Sequence, residues 1–206
     1  MSITMQQLNA DCLDALREVG NIGAGNAMTA LATMVDHRVD MSVPQVGVVS
    51  LGEFTQMAGG PEAPAVGVYM PVTGDAPGHV AFLLSEESAC RLTDELLGRE
   101  LGTTTDLGEI ERSALTEVGN IMASSYLVAI CELTGLNLYS SPPALAVDMT
   151  AAILSTIAAA FASFDDQALT VTTRIQEGRG KVDGFFIFVP ESGSLSAILR
   201  ALQMEG

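Results

Sequence analysis

A carboxylate and a carboxamide three residues apart occur twice in this chain. The first set is Asp14, Glu18 and Asn21; the second is Ser113, Glu117 and Asn120, and both copies read Ala-Leu-x-Glu-Val-Gly-Asn-Ile. Each member is offset by 99 residues from its counterpart, as Pro44 is from Pro143, and 22 residues separate each Asn from its Pro. On a helix, positions i, i+4 and i+7 share one face, so each set forms a single polar stripe. Paired carboxylates could carry acid–base work, but Ser113 breaks that pair in the second copy. What both copies keep is Glu plus Asn, and an amide is no base near neutrality; it acts by positioning. Phosphoryl transfer is the reaction type in which a protein contributes mainly orientation, an amide side chain holding the attacking water in line. No phosphate- or Mg²⁺-binding motif accompanies these residues, so the phosphoryl group and metal would have to arrive on a partner protein. The wet face of any amphipathic helix also carries Glu and Asn. Repetition of residue type, spacing and distant Pro argues against that simpler explanation.

The elements that must position these residues follow from apolar periodicity. A helix is expected from about Gln6 to Asp36, and Gly20, Gly23, Ala24 and Ala27 give it a small-residue face for close approach of another helix. A strand over Arg38 to Leu51, with Pro44 near its start, leads through a loop around Gly59 to Pro64. A hairpin of Ala65–Pro71 and Gly78–Leu84 follows, then a helix from a Ser85 cap to Leu97, ended by Gly98. The second half repeats the order: a helix from Leu107 to Leu133 closed at Gly135, a strand from Asn137 to Asp148, strands at Ala168–Gln176 and Gly184–Val189, and a last helix capped by Ser192 or Ser194. A short apolar helix, Thr150 to Ala159, has no counterpart in the first half on this reading. The predicted fold is α+β: two pseudo-twofold-related helix–strand–strand–strand–helix halves share one largely antiparallel sheet, with the two long helices packed together. Residues 1–206 are expected to form a single domain built of two internal repeats, about 6–100 and 105–206.

Composition limits the partners. A formal charge of −16 disfavours nucleic acid and anionic membrane surfaces. There is one lysine, Lys181, against eight arginines; so acidic and lysine-poor a surface on a normally apolar chain suits a salt-rich cytoplasm. No cationic, apolar leader opens the sequence, and the Met149–Phe164 run is too short to span a bilayer. Three widely spaced cysteines, Cys12, Cys90 and Cys131, read as buried thiols in a reducing compartment. A cytoplasmic location with no membrane insertion is expected.

Other motifs yield little. Gly20-Asn-Ile-Gly-Ala-Gly25 suggests a phosphate loop, but it lies inside a helical pattern, lacks a lysine, and loses its second and third glycines in the second copy. His37 and His79 are isolated, and no Cys/His pair has ligand spacing, so no metal site is expected.

At these residues the chain resembles the CheC/CheX/FliY chemotaxis phosphatases, whose pattern is Asp/Ser-x3-Glu-x2-Asn-x22-Pro. Both sets fit it without gaps, and the likeness extends along nearly the whole chain, including Met70-Pro-Val-Thr-Gly74. The resemblance implies dephosphorylation of the response regulator CheY. Asn21 and Asn120 would orient the attacking water, and Glu18 and Glu117 would pair with the regulator's lysine. Asp14 and Ser113 would support them, and Pro44 and Pro143 would set shape. Mg²⁺ would come with the regulator, and this chain would bind no cofactor. The resemblance further implies docking of the receptor deamidase CheD at Asp148 and Met149. The alternatives are a non-catalytic adaptor sequestering CheD or phosphorylated CheY, and a flagellar switch component.

Overall fold

The computed structural model describes residues 9–35, 40–41, 45–160, 167–177, 180–191 and 193–204. In chain order the elements are α1 (Ala10–Val35), β1 (Asp40–Met41), β2 (Gln45–Ser50), α2 (Leu51–Met57), β3 (Pro64–Gly74), β4 (Gly78–Ser85) and α3 (Glu86–Leu96). After these come α4 (Glu109–Thr134), β5 (Leu138–Ser140), β6 (Ala144–Met149), α5 (Thr150–Ala160), β7 (Gln167–Glu177), β8 (Gly180–Pro190) and α6 (Ser194–Ala201).

The strands form one antiparallel sheet in the order β1-β7-β8-β4-β3-β5, with β2 also beside β7 and β6 also beside β3. The order reads the same from either edge when the halves are exchanged. β4 and β8 pair at the centre, β2 of the first half lies on β7 of the second, and β6 of the second lies on β3 of the first. Each half thus completes the other's sheet, and the pseudo-twofold axis passes between β4 and β8. The register shows where the repeats differ in length. Ser50 faces Gln167, and its counterpart 99 residues on, Met149, faces Pro64, so the facing residues are 103 apart. The extra four residues match the difference between α2, with 7 residues, and α5, with 11.

Alternation along the strands sends side chains to two cores. Val66, Val68, Met70 and Val72 of β3 pack with Leu16, Leu31, Leu115 and Met122 of the long helices. On the opposite face Ala65, Leu83 and Ile187 meet Phe54 of α2 and Ile153 and Leu154 of α5. Burying a side chain the size of Leu115 or Met122 contributes about 1.5–3 kcal/mol, so the helix layer is held by its apolar face and its polar face is left outward.

The small-residue face on α1 meets α4. A Cβ at Gly23 would lie 2.5 Å from Tyr126 Cδ1 and 3.0 Å from Tyr126 Cα, so the two backbones nearly touch there. Tyr126 in turn stacks on Phe186, with ring centroids 4.2 Å apart. Gly119 plays the same part against the sheet, where a Cβ would meet Val68 Cγ1 at 2.5 Å.

Four details depart from the sequence reading. The short helix after β6 does have a counterpart: α2 starts where a continuing strand and loop were expected. Ser50 accepts from the Glu53 N–H at 3.2 Å while Glu53 accepts from the Ser50 N–H at 2.9 Å, a capping box legible in Ser50-Leu-Gly-Glu53. Each strand expected after a long helix is two strands. β7 and β8 run longer than expected, to Glu177 and from Gly180. Finally, α6 is capped by Gly193 in the left-handed region (φ 88°) with no side-chain cap, and Ser194 is its first helical residue; Ser192 lies outside the described residues.

Candidate functional site

The two polar stripes lie on the outer side of the helix layer. Asp14, Glu18 and Asn21 are exposed on α1, Ser113 and Glu117 are exposed on α4, and Asn120 is half-buried. Among the described residues, no side-chain hydrogen bond or ion pair engages Glu18, Asn21, Glu117 or Asn120. Their polar ends are therefore available to a partner, whereas two threonine hydroxyls on the same helices are satisfied by backbone carbonyls. Thr116 Oγ1 donates to the Arg112 carbonyl at 2.7 Å and Thr29 Oγ1 to that of Gly25 at 3.0 Å.

Each helix holds its stripe by different means. At α1, Asn9 Oδ1 accepts from the Cys12 N–H at 2.8 Å, an N-cap contact, and Asp14 is ion-paired with Arg17 one turn on. At α4 the N-cap is Gly108, and the first turn is fixed by a carboxylate instead: Arg99 Nη1 donates to Glu111 Oε1 at 2.8 Å and to Thr104 Oγ1 at 3.1 Å. The N–H groups at the start of α4, that of Glu111 first, and the Arg99 guanidinium hold the Glu111 carboxyl below the usual carboxylate range. Leading into this turn, buried Asp94 accepts from the N–H groups of Gly102, Thr103 and Thr104 at 2.7, 3.1 and 2.9 Å. Burial pushes that carboxyl up, and these bonds with the Thr104 hydroxyl outweigh it, leaving it low. At its far end α4 closes on Gly135 (φ 71°), whose N–H reaches the Cys131 carbonyl at 2.8 Å. The Arg99–Glu111 clamp has no echo in the first copy and left no trace in the repeat.

Pro143 is half-buried in the break between β5 and β6, both of which pack against α4. Ser140 faces Val72 and Ala144 faces Tyr69, so three residues, Ser141 to Pro143, oppose only Met70 and Pro71. This is a one-residue bulge, and the Ser141 N–H still reaches the Pro71 carbonyl at 2.8 Å. The same one-residue step separates the register of β1 from that of β2 on β7. Pro44, between those two strands, lies outside the described residues, as does His37. The glycines at 20–25 sit within α1, and Gly23 is accounted for by Tyr126, so the segment is helix-packing surface and not a phosphate loop.

Asp148 and Met149 are exposed at the end of β6, an edge strand, and Asp148 Oδ1 accepts from the Met149 N–H at 2.7 Å. Beside them runs a mostly apolar groove of about 160 Å³ between the strand and α5, floored by Gly67, Ala144 and Ala146 and walled by Ile153. This pair lies at the sheet edge, remote in the fold from the α1 stripe. Among the described residues, no three His, Cys, Asp or Glu side chains converge to hold a metal. α4 is long and apolar enough to cross a membrane, but 56% of that window is buried in the interior.

The family model for the CheC-like family matches residues 13–48 and 110–147, the segments that carry the two stripes and their prolines. The chain is 34% identical over 194 residues to the CheY-P phosphatase CheC of Bacillus subtilis, covering 92% of this chain and 93% of that protein. The crystal structure of Thermotoga maritima FliY superposes with a TM-score of 0.77 at 20% identity, over 96% of this chain and 99% of that one. A CheX–CheY–BeF3–Mg complex from Borrelia burgdorferi matches with a TM-score of 0.51 at 17% identity, over 82% and 94%. At these identities the two structures establish the fold alone.

Proposed function

This chain belongs to the CheC-like family, and from that premise we propose that it is a phosphatase acting on the phospho-aspartate of a CheY-type response regulator. One observation carries the reading: an exposed, unengaged Glu/Asn stripe on each of two helices, repeated in residue type and spacing. The regulator brings the acyl phosphate and the Mg²⁺ held with it. Asn21 or Asn120 holds a water in line with phosphorus, accepting one of its hydrogens at the carboxamide oxygen. The water oxygen bonds to phosphorus as the bond to the aspartyl oxygen breaks, giving inorganic phosphate and a free carboxylate. Glu18 or Glu117 faces the regulator's lysine and fixes the pose. Asp14 and Ser113 border the stripe, and the bulge at Pro143 shapes the sheet edge that packs on α4; Pro44 is assigned the matching role by the repeat.

We propose three further features of the chain. Residues 1–206 form one domain of two repeats, the chain works in the cytoplasm, and CheD docks at Asp148 and Met149 along the β6 edge. The test of the main reading is single-turnover phosphate release from phosphorylated regulator, with native chain and with Asn21→Ala/Asn120→Ala. Loss of a positioning amide is expected to lower the rate about 100-fold or more. A double variant that still accelerates release would remove the water-positioning role.

A further inference from the structure

The two stripes are close together. Gly23 and Tyr126 bring α1 and α4 into backbone contact. Asn21 is two residues from Gly23 and Asn120 six from Tyr126, about 3 Å and about 9 Å of helix rise. Following the backbone through that contact, the two Asn Cα atoms lie no more than about 20 Å apart, whatever the crossing angle. Both belong to the outer surface of one helix layer on one face of the sheet.

A folded partner is wider than that gap. A domain of about 100 residues has a radius of gyration of about 13 Å, hence a diameter above about 30 Å. A standard contact covers about 800 Å² on each partner, a disc about 32 Å across. Two such discs centred about 20 Å apart already share about a quarter of their area, and closer centres share more. Resting on the reading given under Proposed function, we propose that the two sites are alternatives: one chain holds one regulator at a time, in either of two pseudo-symmetric poses. The second copy then adds a second productive way to land and no capacity. A variant with one dead Asn still docks regulator over that copy, and the unproductive pose shields the live one. Its kcat falls to the share of encounters that choose the live site, while KM holds near the native value.

Isothermal titration calorimetry with beryllofluoride-activated regulator tests this, with bulky blocks on each exposed stripe, Asn21→Trp and Asn120→Trp. One regulator per native chain is expected, one for each single block, and none for the double block. Two regulators per native chain would overturn the proposal. So would a single block that abolishes binding alone, since one working site also gives a ratio of one. Unchanged binding by the double block would place the regulator elsewhere and overturn it too. If the native chain binds no regulator and releases no phosphate, the phosphatase reading itself fails, and this inference goes with it. Each variant's thermal melt is recorded alongside, and a reading is taken only from variants that melt with the native chain.

Discussion

α1 and α4 are 26 residues each and derive from the same repeat, yet they agree and differ in a telling pattern. They agree along the polar stripe, Glu18 with Glu117 and Asn21 with Asn120, and beneath it at buried Leu16 with Leu115, Val19 with Val118 and Ala24 with Ala123. At two buried positions they differ: Gly23 stands opposite Met122 in the repeat, and Ala27 opposite Tyr126. Had both copies kept Tyr at this position, the bulk would collide across the near-twofold interface. Pairing Gly23 with Tyr126 removes the clash, and the pseudo-symmetry maps that contact onto Met122 and Ala27, both in the same core. Packing accounts for these differences and for the buried residues that the copies share, but it does not account for the shared, unengaged Glu and Asn. The surroundings differ as well. The α1 stripe is bordered by Asp11, Arg17 and Thr29, the α4 stripe by Thr116 and by two exposed apolar side chains, Ile110 at 63% and Val128 at 46%.

The largest effect should come from breaking that asymmetry in the interior. Gly23→Ala puts a methyl group into Tyr126, and overpacking of this kind costs about 1–3 kcal/mol. Gly25→Ala, two residues along the same helix with nothing within 4 Å of the new methyl, should instead stabilise by up to about 1 kcal/mol. Urea midpoints of the two variants should move in opposite directions. Equal shifts would mean that the helices do not meet as described.

A smaller effect should separate the two sites. Asn120 is half-buried and Asn21 is exposed, so the α4 amide has less freedom to lose on docking. Asn120→Ala should therefore lower kcat for phosphate release about 3- to 10-fold more than Asn21→Ala, the equivalent of about 1 kcal/mol. Equal losses would show that the difference in burial is without consequence.

Smaller again is the response to salt. With a net charge of −16, approach to an acidic phosphorylated partner is opposed at low ionic strength. At about 1 M salt the Debye length falls to about 3 Å and the opposition is screened. Stopped-flow association should quicken a few-fold from low to molar salt. The gain should be larger with Asn120→Trp, which leaves the acidic α1 stripe, than with Asn21→Trp, which leaves the apolar-bordered α4 stripe. Association slowed by salt in both would count against electrostatic opposition. Thermal melts over the same range test the salt-rich origin, and equal stability at low and molar salt would remove it.

Much of this was legible in the sequence, for reasons that particular residues make plain. The repeat gave both stripes, since 99-residue spacing is visible without coordinates. Apolar periodicity gave both long helices, and Ser85 and Gly135 marked real ends. α2 was missed because its seven residues are too few for periodicity to register, although Ser50 and Glu53 announced it. The breaks at Ser141–Pro143 were read through because a bulge leaves the strand's composition unchanged. Neither the Arg99–Glu111 clamp nor the closeness of the two Asn residues could be read at all. The first joins a linker to a helix 12 residues on, and the second depends on a helix contact between residues 103 positions apart.

The starts of the two helices give the finest comparison, through acid. α1 is capped by the amide of Asn9, which has no proton to gain, whereas the first turn of α4 is tied by the Glu111 carboxylate. Glu111 is held below its unfolded value, so its contribution is fully present above about pH 4.3 and is lost as pH falls through the lower folded value. Below that point the protonated acid no longer accepts from Arg99 as an ion, and the first turn of α4 loosens while that of α1 does not. Hydrogen exchange at residues 110–113, corrected for intrinsic rate, should rise several-fold between pH 7 and pH 3.5 relative to residues 12–15. Glu111→Gln should make the 110–113 segment exchange faster already at pH 7 and flatten its dependence on acid. If the wild-type segments respond to acid alike, the clamp does not hold α4 in place, and the site on that helix owes its order to the core beneath it alone.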